Sequence, residues 1–322
     1  MFIFHNPILT KKMGTNAKFS HIILSGGGSK GFSYLGILRY LYNEKLASSI
    51  NHVAGTSIGA MFGVIFALRI PIDFIEDAIF ETLKEFNEKE SVFSNTDILN
   101  FFNTNGFKSN ECLVKPIIKY LKYKYDVEDI TYIDFVKKTG VNLYINCTNL
   151  NTGTKKVFSL ETTPHVSVLE SVKASMSIPF IYQPVCIDGE YFVDGIISKP
   201  FNIKNTFTSV PQENVLYFYL SGSKNDQLVE IPKKEHISLV SYCKRITSIF
   251  LLNVFGSTSE ELEEYTNLFN TVIIGDIPYE CVNIKIQNSK MMIEMTSDEI
   301  NHMILLGYIT MSNYMNNRYK DK

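Results

Sequence analysis

The first half of the chain alternates short apolar runs with longer segments whose apolar residues recur at helical spacing. Strand-like runs occupy 21–25 (HIILS) and 50–57 (INHVAGTS), and helix-like patterns occupy 31–45, 58–69 and 72–86. Apolar residues at intervals of three and four positions predict helices, whereas short apolar runs between turn signals predict buried strands. Because strand, helix, strand and helix follow one another, we predict an α/β fold with a parallel sheet and crossover helices.

The rest of the chain adds further strands and helices. Residues 88–140 are predicted to be helical and loopy, with one helix near 111–124. The elements predicted beyond them are two strands within 141–159 that turn at Asn151 to Gly153, a helix at 165–177, a hairpin at 185–195 that turns at Asp188 and Gly189, a strand at 213–221, helical residues from 237 to 270, a strand at 281–286 and a last helix at 297–315. Thr296, Ser297 or Asp298 is expected to cap that last helix.

The chain shows no clean linker, repeat or low-complexity tract. We therefore predict an N-terminal extension at 1–18 and one main catalytic domain at 19–210. A C-terminal portion at 211–322, helical with one or two strands, is expected to pack on the same domain.

Composition limits the kinds of binding partner and the cellular compartment that we expect for this protein. The chain has 322 residues, 45% of them hydrophobic and 20% charged, with a net charge of -2. Such a balance provides a core and gives no overall field that favours nucleic acid. Five scattered cysteines without a CxxC pair predict reduced core cysteines in a cytoplasmic protein and no metal site (Cys112, Cys147, Cys186, Cys243 and Cys281). The start of the chain lacks the pattern of a signal peptide, and no 18-residue uncharged apolar run predicts a spanning helix.

The glycines at 26–28 suggest a backbone that holds either a phosphate or a developing oxyanion. Gly26, Gly28 and Gly31 match G-x-G-x-x-G between a strand and a helix, as in dinucleotide-binding folds. That fingerprint also needs an acidic residue about 20 positions on, and SSINHVAGTS (48–57) contains none. The phosphate-binding P-loop pattern fails as well, because Phe32 follows Gly31. Nucleotide binding is therefore disfavoured.

A serine in GTSIG (55–59) supports the oxyanion interpretation. The segment matches G-x-S-x-G, which places a nucleophilic serine on a sharp turn between a strand and a helix, and the predicted strand and helix flank Ser57 as required. A serine nucleophile needs a base, but none of the six histidines stands in an evident triad context. Asp194, at the end of a strand candidate and followed by Gly195, is the carboxylate that stands out.

Four motifs together resemble a known family. GGGSKG (26–31), GTSIGA (55–60), ASMSIPF (174–180) and VDG (193–195) occur in the order and context of the patatin-like phospholipases, over about residues 20–204. The leading LSGGGSKG looks more like the bacterial-type branch than the plant storage proteins. Each motif alone is unspecific, whereas the four in order are specific.

The resemblance implies a three-layer α/β/α fold and a Ser-Asp dyad without histidine. Ser57 would be the nucleophile and Asp194 the base, and the N–H groups of Gly26, Gly27 and Gly28 would form the oxyanion hole. The implied activity is hydrolysis of acyl esters of glycerophospholipids and related lipids, with no metal or other cofactor. A free aspartate has a pKa near 3.9, so Asp194 would need burial to become an effective base.

The remaining motif residues are expected to support the site. These supporting positions are Lys30, Gly31, Gly55, Gly59 and Gly195. Lys30 matches the basic position of the family loop, and three roles stay open for it: a solvated charge, a support for the loop, or an attraction for a lipid phosphate. Ser175 and Ser177 are interpreted as structural.

One departure favours a second hypothesis. The family usually has another glycine after Asp-Gly, whereas Ile196 follows Gly195 here. If that position needs a positive φ, a β-branched residue would strain the turn. The alternative is a catalytically weak protein that binds lipid or a protein partner. Membrane contact is expected at KRITSIFLLNVFG (244–256), whose competing interpretation is a core helix, or more weakly at the initial MFIF.

Overall fold

The computed structural model describes residues 19–89, 95–198, 210–211, 214–220, 238–239, 242–243, 245–247, 249, 270–274 and 296–318. The N-terminal extension, the strand candidate at 281–286 and Cys281 lie outside these residues. Within them, no helix combines the length and apolarity that crossing a bilayer requires.

A mixed, mostly parallel sheet forms the centre of the molecule. Its strands run in the order β10-β9-β1-β2-β4-β8-β7, with β5 also paired to β4. Their bounds are His21–Leu24 (β1), His52–Thr56 (β2), Asn142–Asn149 (β4), Thr154–Phe158 (β5), Val185–Ile187 (β7), Glu190–Asp194 (β8), Val215–Leu220 (β9) and Asn270–Ile274 (β10). The pairs β10–β9, β9–β1, β1–β2 and β2–β4 are parallel, whereas β4 pairs antiparallel with β5 and β8. The carboxyl ends of β1 and β2 therefore meet at one edge.

Helices flank this sheet, which confirms the predicted α/β class. They are α1 (Ser33–Asn43), α2 (Ile58–Ala67), α3 (Ile72–Lys89), α4 (Asn95–Thr104), α5 (Lys115–Tyr125), α6 (Tyr132–Thr139), α7 (Val168–Ser175) and α8 (Ser297–Arg318), with short 3-10 helices at Gly28–Phe32, Leu46–Ser49 and Glu111–Val114. Ile22 and Leu24 of β1 join the large core under α1 and α2, whereas Ile23 packs with Ala54 and Tyr217 in a separate cluster. Side chains alternate in this way because a strand points successive residues to opposite faces.

The C-terminal helix α8 is part of the core around α1. Its capping residue is Thr296, whose Oγ1 accepts the N–H of Glu299 at 3.2 Å while Glu299 accepts the N–H of Thr296 at 2.7 Å. The two helices cross at glycines: a Cβ built on Gly307 would lie 1.9 Å from the carbonyl oxygen of Ser33, and one on Gly36 would lie 1.8 Å from that of Ile304. Because α1 follows the glycine loop directly, α8 supports the helix that leaves the loop.

Three features differ from the sequence prediction. Residues 270–274 form strand β10, which the sequence analysis did not predict. Strands β3 (Gly106–Lys108) and β6 (Phe180–Tyr182) form a separate two-stranded sheet; three residues are too few to show a strand period. Of the cysteines predicted to be in the core, Cys147 and Cys243 are buried, but Cys112 is half-buried and Cys186 is exposed.

Candidate active site

Ser57 occupies the turn between β2 and α2 in a strained conformation. Its backbone angles are φ 55° and ψ −128°, which place a side-chain-bearing residue in a region that glycine prefers. Such a conformation costs about 1–3 kcal/mol and persists where the surrounding structure determines it. It turns the hydroxyl of Ser57 away from the helix and towards the end of β8.

The glycines on either side of Ser57 are needed for close backbone packing. A Cβ built on Gly59 would lie 2.2 Å from the carbonyl oxygen of Leu24, and one on Gly55 would lie 2.4 Å from that of Gly59. No real Cβ fits at these distances, so α2 can approach the ends of β1 and β2 only with glycine at both positions.

Asp194, the last residue of β8, contacts Ser57 directly. The Ser57 Oγ donates a hydrogen bond of 2.6 Å to Oδ2 of Asp194, and the Ile196 N–H donates one of 3.0 Å to Oδ1. Ser57 is 5% exposed and Asp194 is 1% exposed. The structure thus brings together the two residues that the sequence analysis singled out, although they are 137 positions apart.

Burial changes the basicity of this carboxylate. Loss of solvent raises the pKa of Asp194 to about 7, because the charged form is disfavoured inside the protein. The hydrogen bonds from Ser57 and Ile196 act in the opposite direction and lower the pKa, but by less. The carboxylate can therefore exchange a proton near neutral pH, as a general base should.

Neither His21 nor His52 lies next to the pair of Ser57 and Asp194. His21 and His52 stack at the first residues of β1 and β2, with ring centroids 4.2 Å apart. Because His21 and His52 begin these strands and Ser57 follows the last residue of β2, the two histidines lie at the opposite edge of the sheet from Ser57. His5 and His236 lie outside the described residues.

The glycine loop lies against Ser57. A Cβ built on Gly26 would be 3.2 Å from Cβ of Ser57 and 3.1 Å from Cδ1 of Ile196. Gly27 packs on Leu220, and Gly28 adopts φ +55° with no atom within 4 Å of its built Cβ. A 3-10 helix begins at Gly28, and the first N–H groups of a helix have no partner within it.

Lys30 and Gly31 continue the loop into the protein interior. Lys30 is 4% exposed, so the solvated-charge interpretation is wrong: the loop folds its side chain inside. The Lys30 carbonyl accepts a 2.7 Å hydrogen bond from the Ser33 hydroxyl, which ties the loop to α1. A Cβ on Gly31 would lie 2.3 Å from Ile58, so this glycine lets the loop pack on the first residue of α2.

The turn after Asp194 does not need a second glycine. Positive φ values occur at neither Gly195 nor Ile196, so the strain considered for Ile196 is absent. Gly195 is required for another reason, since its Cβ would lie 2.2 Å from the carbonyl oxygen of Asn146. The buried Ile196 side chain instead contacts the glycine loop.

Two polar residues join the site that the sequence analysis did not assign to it. The Ser175 hydroxyl accepts the N–H of Ser57 at 2.9 Å and donates to the carbonyl of Asn146 at 2.7 Å. The Asn146 side-chain amide donates to Gly195 and, at 3.3 Å, to Thr56. Ser175 belongs to the motif ASMSIPF (174–180), so the sequence contained a signal that could have assigned it to the site. Asn146 lies in β4 and belongs to none of the motifs.

The arrangement of side chains suits nucleophilic attack by a serine hydroxyl. A hydroxyl hydrogen-bonded to a buried carboxylate, beside a loop of glycine amides, has the parts needed for acyl transfer. In the described part of the chain, no three His, Cys, Asp or Glu residues are grouped so as to hold a metal ion.

Comparisons with known proteins identify the family of this chain. The model of the patatin-like phospholipase family matches residues 22–206. An uncharacterized protein of Acanthamoeba polyphaga mimivirus, R571, is 29% identical over 58% of this chain and 61% of its own length. A probable lipid hydrolase of Invertebrate iridescent virus 6, 463L, is 28% identical over 62% of this chain and 69% of its own length. The chain thus matches about six to seven tenths of these relatives.

A solved structure has the same fold. VipD from Legionella pneumophila superposes with a TM-score of 0.53 and 17% identity, over 93% of this chain and 67% of that one. This likeness supports the α/β/α arrangement alone. The family match, which spans more than half of the sequence, shows that the chain belongs to the patatin-like phospholipase family.

Proposed function

We propose that this protein is a lipid acyl hydrolase in which Ser57 is the nucleophile and Asp194 is the base. The observation that carries the proposal is the buried 2.6 Å hydrogen bond between the Ser57 hydroxyl and the Asp194 carboxylate. Ser57 attacks the ester carbonyl while its proton passes to Oδ2 of Asp194. The protonated carboxyl then gives that proton to the leaving alkoxide, and an acyl-enzyme remains.

Water completes the reaction through the same groups. Asp194 accepts a proton from the attacking water, the acyl–Ser57 bond breaks, and the proton returns to the serine oxygen. The fatty acid is released and the hydrogen bond between Ser57 and Asp194 forms again.

The proposed oxyanion hole consists of the amides of Gly26, Gly27 and Gly28. Its support is the contact between Gly26 and Ser57 and the start of a 3-10 helix at Gly28. The N–H of Ser57 itself already donates to Ser175, so it is not available to the oxyanion. Preorganised donors of this kind are each worth about 3–4 kcal/mol in acyl transfer.

The relatives support an acyl ester of a lipid as substrate. The family name denotes phospholipases, one viral relative is named a probable lipid hydrolase, and Triacylglycerol lipase 4 of Saccharomyces cerevisiae is 28% identical over half of this chain and 18% of its own length. Phospholipase A or lysophospholipase action on a glycerophospholipid is the specific form we propose. The alternative of a catalytically weak binding protein rested on strain at Ile196, and its backbone is unstrained.

A fluorophosphonate probe tests the nucleophile. We expect covalent labelling of the wild-type protein at one serine, mapped by peptide mass spectrometry to Ser57, and no labelling of Ser57→Ala. Thermal unfolding of both proteins checks that each is folded. Folded wild-type protein without label, or label that persists in Ser57→Ala, would reject the proposal.

The pH profile follows from the basicity of Asp194. Only the ionised carboxylate accepts the Ser57 proton, so kcat/KM should fall about tenfold per pH unit below a midpoint near 7, where burial places the pKa of Asp194. Activity above the midpoint should reach a plateau. A profile measured from pH 5 to pH 9 on a soluble ester gives this midpoint, and a plateau that extends down to pH 5 would contradict it.

We also propose that the protein contacts its lipid aggregate through exposed apolar residues beside the small sheet. This apolar rim consists of Leu99, Phe102, Leu239, Tyr242, Ile246 and Ile249, each more than a third exposed. Their chain neighbours Phe101 and Cys243 lie in one small core with Phe107 of β3 and Ile181 of β6. Strand β6 starts three residues after Ser177, whose carbonyl accepts the N–H of Asp194. The rim is thus connected through β6 to Ser177, which contacts the backbone of Asp194.

Charged substitutions in the rim separate membrane contact from chemistry. The double variant Phe102→Asp/Tyr242→Asp should lose about tenfold or more in hydrolysis of phospholipid vesicles, because each buried aromatic contributes roughly 1.5–3 kcal/mol. Hydrolysis of a short-chain soluble ester should stay within about twofold. Leu305→Asp/Ile309→Asp, at exposed positions of α8, is the control. Equal vesicle hydrolysis by both double variants would show that the rim has no such role.

The cytoplasmic location of the protein remains a prediction.

A further inference from the structure

The strained backbone of Ser57 is anchored on both sides. Its carbonyl accepts the N–H of Ala60 at 2.8 Å, as the first turn of α2 requires. Its N–H donates 2.9 Å to the hydroxyl of Ser175. The first bond comes with any helix, whereas the second depends on one side chain from another element, 118 positions along the chain.

Ser175 is itself held in one orientation. It is the last residue of α7 and is fully buried. A hydroxyl has one proton to donate and two lone pairs that accept. Its proton goes to the carbonyl of Asn146 at 2.7 Å, so its lone pairs are left to face the N–H of Ser57.

Asn146 links this anchor to the base. Its side-chain Nδ2 donates 3.1 Å to the carbonyl of Gly195 and 3.3 Å to the hydroxyl of Thr56. These residues are the chain neighbours of Asp194 and Ser57. The central strand β4 therefore fixes the ends of β2 and β8 relative to each other, and Ser175 connects the nucleophile backbone to that frame.

We propose that Ser175 is a positioning residue that holds the Ser57 backbone in its strained conformation, so that the hydroxyl points at Asp194 and at the ester carbonyl. The inference rests on the proposed function, because it assigns Ser175 an effect on that reaction. Ser175 touches neither the substrate nor the reacting oxygen; it acts through the amide of Ser57. The second serine of ASMSIPF, Ser177, bonds instead to Lys173 and Asn110.

The test is Ser175→Ala, compared with Ser171→Ala. Ser171 is a matched control, because it is a fully buried serine of the same helix. Its hydroxyl donates a hydrogen bond to the carbonyl of Val168 and is also hydrogen-bonded to the hydroxyl of Tyr132. Ser175→Ala should lower kcat for a soluble ester about 10- to 100-fold, as expected for a misplaced nucleophile. KM should stay within about twofold, and fluorophosphonate labelling of Ser57 should slow in proportion to kcat. Ser171→Ala should keep kcat and the labelling rate within about threefold.

The outcomes separate this inference from the proposed function. If Ser57→Ala abolishes activity but Ser175→Ala labels and turns over like Ser171→Ala, the positioning role is wrong and the nucleophile assignment stands. If Ser57→Ala keeps its activity, the proposed function itself fails. Should Ser175→Ala not fold, Ser175→Cys fills the same space with a weak donor and acceptor. It should show the same selective loss of kcat, and wild-type kcat in that variant would overturn the proposal.

Discussion

Replacing Asp194 by Asn is expected to lower kcat about 10⁴-fold or more while making the folded protein more resistant to heat above neutral pH. The amide cannot accept the Ser57 proton, and removal of a catalytic carboxylate in serine hydrolases has cost about this factor. The loss should be larger than that of any other single change except at Ser57 itself, because Asp194 contacts the Ser57 hydroxyl directly at 2.6 Å.

The stability change has a definite sign. The pKa of Asp194 is about 7 in the folded protein, above its ordinary value of 3.8. The folded state therefore holds the proton more tightly than the unfolded state, and stability declines as pH rises from about 4 to 7. At pH 8 the buried carboxylate of Asp194 is charged, which lowers the free energy of unfolding. The Asn variant carries no charge at this position. Near pH 4 the folded wild-type protein is neutral at this position, as the Asn variant is, so the difference between their melting temperatures should be much smaller than at pH 8.

Calorimetry or fluorescence-monitored unfolding at pH 4.5 and pH 8, with kcat measured on the same samples, checks both halves of this prediction. A variant that is inactive and also less stable at pH 8 would indicate general damage and leave the base unidentified. An active Asp194→Asn would exclude Asp194 as the base.

Replacing Gly26 by Ala is expected to lower kcat about 10²- to 10³-fold, the usual cost of losing one oxyanion donor. The added Cβ would lie 3.2 Å from Cβ of Ser57 and 3.1 Å from Cδ1 of Ile196, so the loop must move away from the nucleophile by a few tenths of an ångström. The transition state would feel this shift more than the bound substrate, because the oxyanion forms only during attack. KM should therefore change by less than about threefold.

Gly63→Ala provides the matched control. Gly63 is a buried glycine of the same active-site helix, α2, and its built Cβ lies 3.1 Å from a methyl group of Val53. Its crowding is thus similar to that at Gly26, but it has no contact with the loop. Equal kcat for the two alanine variants would remove Gly26 from the proposed oxyanion hole.

The sequence allowed much of the site to be predicted because the residues of each motif are local. GTSIG carries its own strand, turn and helix, and the glycines that its turn needs are part of the pattern. VDG closes a hairpin whose turn was visible at Asp188 and Gly189. Periodicity likewise located most strands and helices, since burial of one face repeats along the chain. Short elements such as β3 and β6 were not predicted, because three residues are too few to establish the alternating pattern of a strand.

What the sequence by itself determined is which side chains are available and on which turns they stand: a serine after β2, an aspartate at the end of β8 and a glycine loop after β1. Only the tertiary structure decided that the hydroxyl and the carboxylate meet, that the carboxylate is buried, that Lys30 lies inside, and that Ser175 and Asn146 hydrogen-bond to the backbone and side chains around this pair. The reason is physical. These hydrogen bonds join residues that are 118 and 137 positions apart, and they depend, as burial does, on how the strands pair and the helices pack. A short sequence pattern contains no information about that pairing or packing.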